Sequence, residues 1–296
     1  MTRAATTARD KSAAGDAREV TLRGEGISKV FGKRGNAHTA VRPMDITVHA
    51  RSAIGVVGES GSGKSTLSRL LVGLEAPTTG VITLDGLDIQ RMERAPEDSR
   101  ALRRTVQYIA QDTFSSFDPR RRLRDAVAQP LKVLRGETGS EAEDRIADVM
   151  RILRLDPAFL DKYPHQISGG QRQRFSIARA LVVRPRVLLC DEVVSALDVS
   201  VQGAVLNTIR AYCRDNHVGL VFVSHGLPAT AFISEDLLVM RHGEVVEHRP
   251  TADVLAAPAH PYTASLLDAY TRAPRHLLPA DVELPEVDDH HLEEVR

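Results

Sequence analysis

The chain has 296 residues with 39 basic and 39 acidic side chains, so its formal net charge is zero. Charged residues make up 26% and apolar ones 42%, the balance of a packed globule long enough for one large domain or two modest ones. Neutrality argues against a basic nucleic-acid binder, no apolar run reaches the length of a membrane-spanning helix, and Cys190 and Cys213 form no metal-ligand cluster.

Residues 1–17 carry Ala, Thr and charge without an apolar core, which predicts a disordered tail and not a secretory signal. From about 18 to 58 the pattern suggests several short strands; Val20-Thr21-Leu22 and Ile46-Thr47-Val48 alternate in strand fashion. Ala53-Ile54-Gly55-Val56-Val57 is short and apolar, as a buried strand is. It leads into Gly58-Glu59-Ser60-Gly61-Ser62-Gly63-Lys64-Ser65-Thr66, which fits the phosphate-loop pattern G-x-x-x-x-G-K-[ST]. Leu67, Leu70, Leu71 and Leu74 then recur at helical spacing. Strand, Gly-rich loop and helix are the context this motif needs. Glycines let backbone N–H groups turn inward around a phosphate, and the helix N-terminus favours an anion. Lys64 would reach the β- and γ-phosphates, and Ser65 would hold Mg²⁺. The loop alone indicates only that a nucleoside triphosphate binds.

Gly80-Val81-Ile82-Thr83-Leu84 reads as a strand, with Asp85-Gly86 as a turn. A polar, Arg-rich segment runs to about 104, and Val106-Gln107-Tyr108-Ile109 is a further strand. From about 121 to 183 the spacing predicts helices: Ile146, Val149, Met150 and Leu153 share one face, and Phe175, Ala178 and Leu181 another. Strand signals return at 186–190 and 219–223, with a helix between them marked by Val201, Val205 and Ile209. Strand, helix, strand implies a parallel sheet. A helical block is thus inserted in an α/β nucleotide-binding core. Cys190, in the run Val187-Leu188-Leu189-Cys190, reads as a reduced core thiol, with the cytosol as the natural compartment. Another helix starts near Pro261, and 281–296 is acidic and loose; His290-His291 within it lack a third ligand and read as solvated tail. The expected divisions are a tail at 1–17, a nucleotide-binding domain at 18–250 with a helical subdomain at about 112–183, and an extension at 251–296.

Two more motifs carry chemistry. After an apolar strand, Asp191 is delivered towards the Mg²⁺ that Ser65 touches, and Glu192 is placed to orient or deprotonate an attacking water. Ile167-Ser168-Gly169-Gly170-Gln171 puts small residues directly before an amphipathic helix. That is a helix cap, with Ser168 near the N-cap, or a second anion-binding helix N-terminus.

Taken together, these motifs resemble the ATP-binding subunit of an ABC transporter over about residues 20–269. Ile167 to Gln171 resembles the family signature, with Ile where Leu is usual. Asp191-Glu192 resembles the second acidic motif and catalytic glutamate, and Ser195-Ala196-Leu197-Asp198 the loop that communicates across a dimer. His225 resembles the switch histidine at the γ-phosphate, Gln111 the glutamine linking Mg²⁺ to the membrane partner, and Phe31 the aromatic that stacks on adenine. The stretch Gln111-Asp112-Thr113-Phe114-Ser115-Ser116-Phe117-Asp118-Pro119-Arg120, with Tyr163-Pro164-His165, Ser195-Ala196-Leu197-Asp198-Val199-Ser200-Val201-Gln202 and His260-Pro261-Tyr262-Thr263, resembles ATPases of peptide and nickel importers. Departures fall at Gly226, where Asp is common, at Val193-Val194, and at Arg51-Ser52, where a Gly-containing turn is frequent. No cysteine follows Cys213, so the C-terminal iron–sulphur centre of some relatives is absent.

The resemblance implies a P-loop NTPase (RecA-like) α/β core, an N-terminal antiparallel β-subdomain and an inserted α-helical subdomain. It implies ATP and Mg²⁺ as ligands. ATP would be held by Phe31, Gly58 to Thr66 and Gln111 of one subunit and by Ser168, Gly169, Gly170 and Gln171 of a facing one. Mg²⁺ would lie at Ser65, Gln111 and Asp191, with Glu192, His225 and Lys64 catalytic. Expected partners are a second ATPase chain, different or identical, two membrane permeases and, indirectly, an extracytoplasmic solute-binding protein, but no nucleic acid. The expected place is the cytoplasmic face of the membrane. An ABC-like ATPase of a soluble, phosphonate-cleaving enzyme complex is the alternative. Ribosome- or nucleic-acid-acting relatives fit less well, because this chain has one ATPase unit and no sustained heptads.

Overall fold

The structure, a computed structural model, describes residues 20–32, 35–112, 116–195, 197 and 199–271. The tails expected at 1–17 and 281–296, with His290 and His291, lie outside the described residues, as do Thr113, Phe114, Ser115, Ala196 and Asp198.

The N-terminal strands are fewer and longer than their sequence suggests. β1 (Thr21–Phe31) and β2 (His38–His49) have 11 and 12 residues and pair antiparallel. Their register shifts between Gly24 and Ile27, between Ile27 and Lys29, and between Lys29 and Val30. Each irregularity breaks the inside–outside alternation, so one long strand reads as several short ones. β3 (Ala53–Val57) follows and leads into α1 (Lys64–Leu71). β4 (Thr79–Leu84) pairs with β1, and β5 (Leu87–Asp88) folds back across Asp85-Gly86. The resulting antiparallel sheet has the order β2-β1-β4-β5.

The Arg-rich segment contains two helices, α2 (Ile89–Met92) and α3 (Pro96–Thr105). α3 has proline in its first turn, Glu97 and Asp98 near its start, and Arg103 and Arg104 near its end, the charge order that complements a helix dipole. Only Leu102 of α3 is buried, so no apolar stripe announces it.

A second sheet has the order β10-β9-β3-β8-β7-β6. β3, β6 (Val106–Ile109), β7 (Val187–Asp191), β8 (Gly219–Val223) and β9 (Asp236–Arg241) run parallel, and β10 (Glu244–Pro250) closes one edge antiparallel to β9. Every residue of β7 and β8 is buried, as parallel strands covered on both faces are. Val187 and Leu189 point to the core shared with α1 and the antiparallel sheet, whereas Leu188 and Cys190 point to the opposite core. The opposite core is built from α4 (Leu123–Pro130), α5 (Ser140–Ile152) and α6 (Gly169–Leu181), inserted between β6 and β7, and from α7 (Val199–Asn216).

Beyond β8, α8 (Leu227–Ile233) seats directly on β3. A Cβ at Gly55 would lie 2.3 Å from Thr230 Cγ2 and 2.5 Å from Ser234 Oγ, so only glycine admits this approach. The chain ends with α9 (Thr251–Ala256) and α10 (Pro261–Thr271), which with α8 cover a small core around Val57, Leu237, Val239, Val254 and Tyr262.

Candidate active site

Four parallel strands end on the same edge of the second sheet. Gly58 follows β3, Gln111 comes two residues after β6, Asp191 ends β7 with Glu192 next in the chain, and His225 comes two residues after β8. Carboxyl ends of strands in such sheets are where ligands bind. Here they border a cleft of about 430 Å³ lined by Phe31, Ser60, Gly61, Gly63, Lys64, Ser65, Thr66, Gln111, Glu192 and His225, together with His38 and Ala40.

The loop after β3 wraps around its own lysine. Lys64 is buried, and its Nζ donates to the carbonyls of Gly58 at 2.7 Å and Glu59 at 2.8 Å. Burial lowers its pKa, while the nearby carboxylates of Glu192, Asp191 and Glu59 oppose that shift. Gly63 has φ 104°, and a Cβ there would lie 2.2 Å from the Ala40 carbonyl. The loop therefore packs against β2 through a residue that has to be glycine. Ser62 accepts at its carbonyl from Gly243 N–H over 3.0 Å, which pins the loop to the turn between β9 and β10.

Asp191 is almost fully buried and takes two hydroxyl donors. Ser65 Oγ donates to its Oδ1 at 3.1 Å, and Tyr108 Oη donates to its Oδ2 at 2.8 Å. Burial raises its pKa, and the two hydroxyls pull it partly back. A buried carboxylate beside a serine hydroxyl is an oxygen-rich pair of the kind Mg²⁺ accepts, and a cation there would relieve the cost of burying the charge. Glu192, next in the chain, has φ 51°, a sparsely populated conformation for a residue with a side chain. Its backbone N–H is tied to the Val223 carbonyl at 2.8 Å. Its side chain receives Gln111 Nε2 at 2.6 Å on Oε2 and lies 3.6 Å from His225 Nδ1 through Oε1.

Ser168, Gly169, Gly170 and Gln171 do not line this cleft. They form the first turn of α6. Ser168 Oγ accepts from Gln171 N–H at 3.2 Å, and Gln171 Oε1 accepts from Ser168 N–H at 2.9 Å, a reciprocal capping box. The cap and the anion-site readings of this motif are thus compatible, because the side chains serve the cap while glycine backbone is left at the helix start.

A family model described as ABC transporter matches residues 41–195. The oligopeptide transport ATP-binding protein OppF of Lactococcus lactis is 38% identical over 78% of this chain and 72% of its own length. The di/tripeptide transport ATP-binding protein DppF of Pseudomonas aeruginosa is 37% identical over 86% of this chain and 77% of its own length. The chain belongs to the ABC transporter family. A dimeric, post-hydrolysis ATP-binding cassette bound to ADP and Pi has the same fold, with a TM-score of 0.71 at 24% identity over 78% of this chain and 98% of that one.

As an ABC ATPase, the chain brings Lys64, Ser65, Asp191, Gln111, Glu192 and His225 together and leaves Ser168 to Gln171 apart. Phe31 ends β1 at the cleft, 39% exposed, with Lys29 Nζ 4.9 Å from its ring centroid. Gln111 bonds Glu192 through its amide nitrogen, which leaves the amide oxygen for the expected Mg²⁺. Arg51 takes φ 71° at the turn where the family often has glycine. Sequence reasoning missed the hydroxyls of Tyr108, Tyr262 and Tyr270. Tyr262 Oη accepts from Glu59 N–H at 3.0 Å, and Tyr270 Oη donates to the His225 carbonyl. Aromatic residues in a strand or helix read as core, and nothing local marks where a hydroxyl points.

Proposed function

We propose that this ABC ATPase powers an importer for oligopeptides, dipeptides or a related small solute. It would sit at the cytoplasmic face of the membrane, paired with a second ATPase chain and two permeases that receive solute from an extracytoplasmic binding protein. The observation that carries this reading is a composite site split in two. One cleft gathers the phosphate loop, Glu192 and His225, with buried Asp191 hydrogen-bonded to Ser65 of its lining, while the glycine-started helix at Ser168 to Gln171 lies outside it. A second chain facing the first would bring such a helix start to the phosphates, as the dimeric cassette bound to ADP and Pi suggests. The cargo class is supported by relatives named for oligopeptide and di/tripeptide transport; these names also favour the importer over the soluble enzyme complex. No helix among the described residues is long and apolar enough to cross a membrane, so attachment would come through the permeases.

Phe31 would lie against adenine, and Lys64 would exchange the carbonyls of Gly58 and Glu59 for phosphate oxygens. Ser65 and Asp191, with Gln111 beside them, would hold Mg²⁺, which when bound neutralises charge on the β- and γ-phosphates. Glu192 would take a proton from water as the water oxygen bonds to the γ-phosphorus. The bond from that phosphorus to the β,γ-bridging oxygen breaks, and ADP leaves with the electron pair. His225 would hold the γ-phosphate. Closure on ATP and reopening on ADP require ATP to prefer the closed pair, and Gln111 would pass that change to the permeases.

Affinity capture of the tagged full-length chain from its native membranes tests the proposal. A second ATPase and two multi-span proteins are expected with it. Recovery of soluble enzyme subunits without permeases would overturn the importer reading.

A further inference from the structure

We propose that α10 ties the phosphate loop to the switch-histidine segment, and that Tyr262 and Tyr270 are positioning residues for ATP turnover. The proposal rests on the reading of that loop and of His225 given above. Tyr262 is buried against β3 and β9, and its hydroxyl accepts from the Glu59 amide inside the phosphate loop. The Arg241 guanidinium lies 4.9 Å from its ring centroid and covers it. Eight residues on, about 12 Å along the helix, the Tyr270 hydroxyl donates to the carbonyl of His225. One rigid element thus holds backbone on both sides of the cleft.

Both ties meet a local need. Gly226 is the N-cap of α8 and has no side chain to cap it; where serine, threonine or aspartate would fix this turn, Ser224 Oγ accepts from Gly226 N–H at 3.0 Å and Thr230 Oγ1 donates to the Gly226 carbonyl at 3.0 Å. Tyr270 supplies a tie from outside the segment. At the other end, α10 is itself anchored. Glu247 accepts from Ala259 N–H at 2.9 Å and His260 N–H at 3.1 Å, and Tyr262 N–H donates to His260 Nδ1 at 3.1 Å. The His-Pro-Tyr-Thr run at 260–263 is therefore more than a helix start, because it aims a tyrosine at the loop that holds phosphate.

The test uses the full-length chain with Tyr262→Phe and Tyr270→Phe, which keep each ring and remove one hydroxyl. Michaelis parameters for ATP, melting temperature and amide hydrogen exchange at 58–62 and 224–227 are measured. Tyr262→Phe is expected to raise KM by about three- to tenfold with little change in kcat, and Tyr270→Phe to lower kcat by a similar factor with KM kept, each the worth of one hydrogen bond. Each variant is expected to speed exchange in its own segment. Unchanged exchange in both segments overturns the tie. KM and kcat falling together with melting temperature in both variants overturns the positioning roles. A wild-type chain that, assayed together with the second ATPase chain, shows no Glu192-dependent hydrolysis overturns the catalytic reading instead, and exchange alone then judges the tie.

Discussion

Gln111 donates through Nε2 to Oε2 of Glu192 over 2.6 Å, so the residue just beyond β6 holds the carboxylate just beyond β7. The other oxygen of Glu192 faces His225 at 3.6 Å. The carboxylate is thus held by Gln111, and the acceptor position that Gln111 fills is not open to a water. Displacing the segment at Gln111 would therefore free the proposed base, which links events at the end of β6 to chemistry at the end of β7.

Replacing that carboxylate tests its role. Glu192→Gln keeps the shape and removes the base, so ATP binding is expected to persist while turnover falls by about a hundredfold or more. Phosphate release measured beside equilibrium nucleotide binding checks this, and unchanged turnover sinks the assignment.

Lys64→Ala removes a buried ammonium and leaves the carbonyls of Gly58 and Glu59 without their donor. ATP affinity is expected to drop by about tenfold or more, since charge-assisted bonds to phosphate are the strong ones. Titration with a fluorescent ATP analogue reads it; wild-type affinity would contradict the phosphate-loop role.

Ser168→Ala breaks the capping box of α6. A loss of about 1 kcal/mol of stability is expected from the cap alone. Turnover should fall further than that loss accounts for if the helix start also faces a partner's phosphate. Ser168→Asp separates the two roles: it restores the cap but sets a negative charge there, so recovered stability with turnover still low is expected. Recovered turnover in the Asp variant would confine Ser168 to the cap.

Glu247 gives the fold an acid-sensitive joint. Its carboxyl is buried, which by itself would raise its pKa, but the Ala259 amide, the Thr263 hydroxyl, the Arg249 guanidinium and the His260 amide outweigh that and bring it from 4.5 down to about 2. A depressed carboxylate stabilises the fold above its unfolded pKa and loses that contribution as pH falls through the folded one. About 3 kcal/mol is expected to disappear between pH 4.5 and 2. Glu247→Gln should flatten that part of the stability profile in denaturant titrations; a profile identical to wild type would refute the linkage.

Much of the architecture was legible because its strongest signals are local. The apolar run ending at Asp191 and the glycine spacing from Gly58 to Gly63 need no tertiary context. The N-terminal strands were harder, since register shifts around Ile27 and Lys29 disrupt alternation. α3 was invisible because a surface helix with one buried leucine has no stripe. At the site, residue types could be read but not partners. The Gln111 amide bonds Glu192, 81 positions away, and the hydroxyls of Tyr108, Tyr262 and Tyr270 meet groups 83, 203 and 45 positions away.

Gly55 shows how finely the cleft is gauged. The helix that follows His225 rests on β3 at the one position without a side chain, and β3 runs on into the phosphate loop. A single methyl group would act there as a shim between the two halves of the cleft edge. Alanine at this position replaces no ligand-facing residue, yet it would widen the spacing between His225 and Lys64. Damage to this ATPase can thus arise from a change that touches neither nucleotide nor partner, and a survey of harmful variants should find this buried glycine among them.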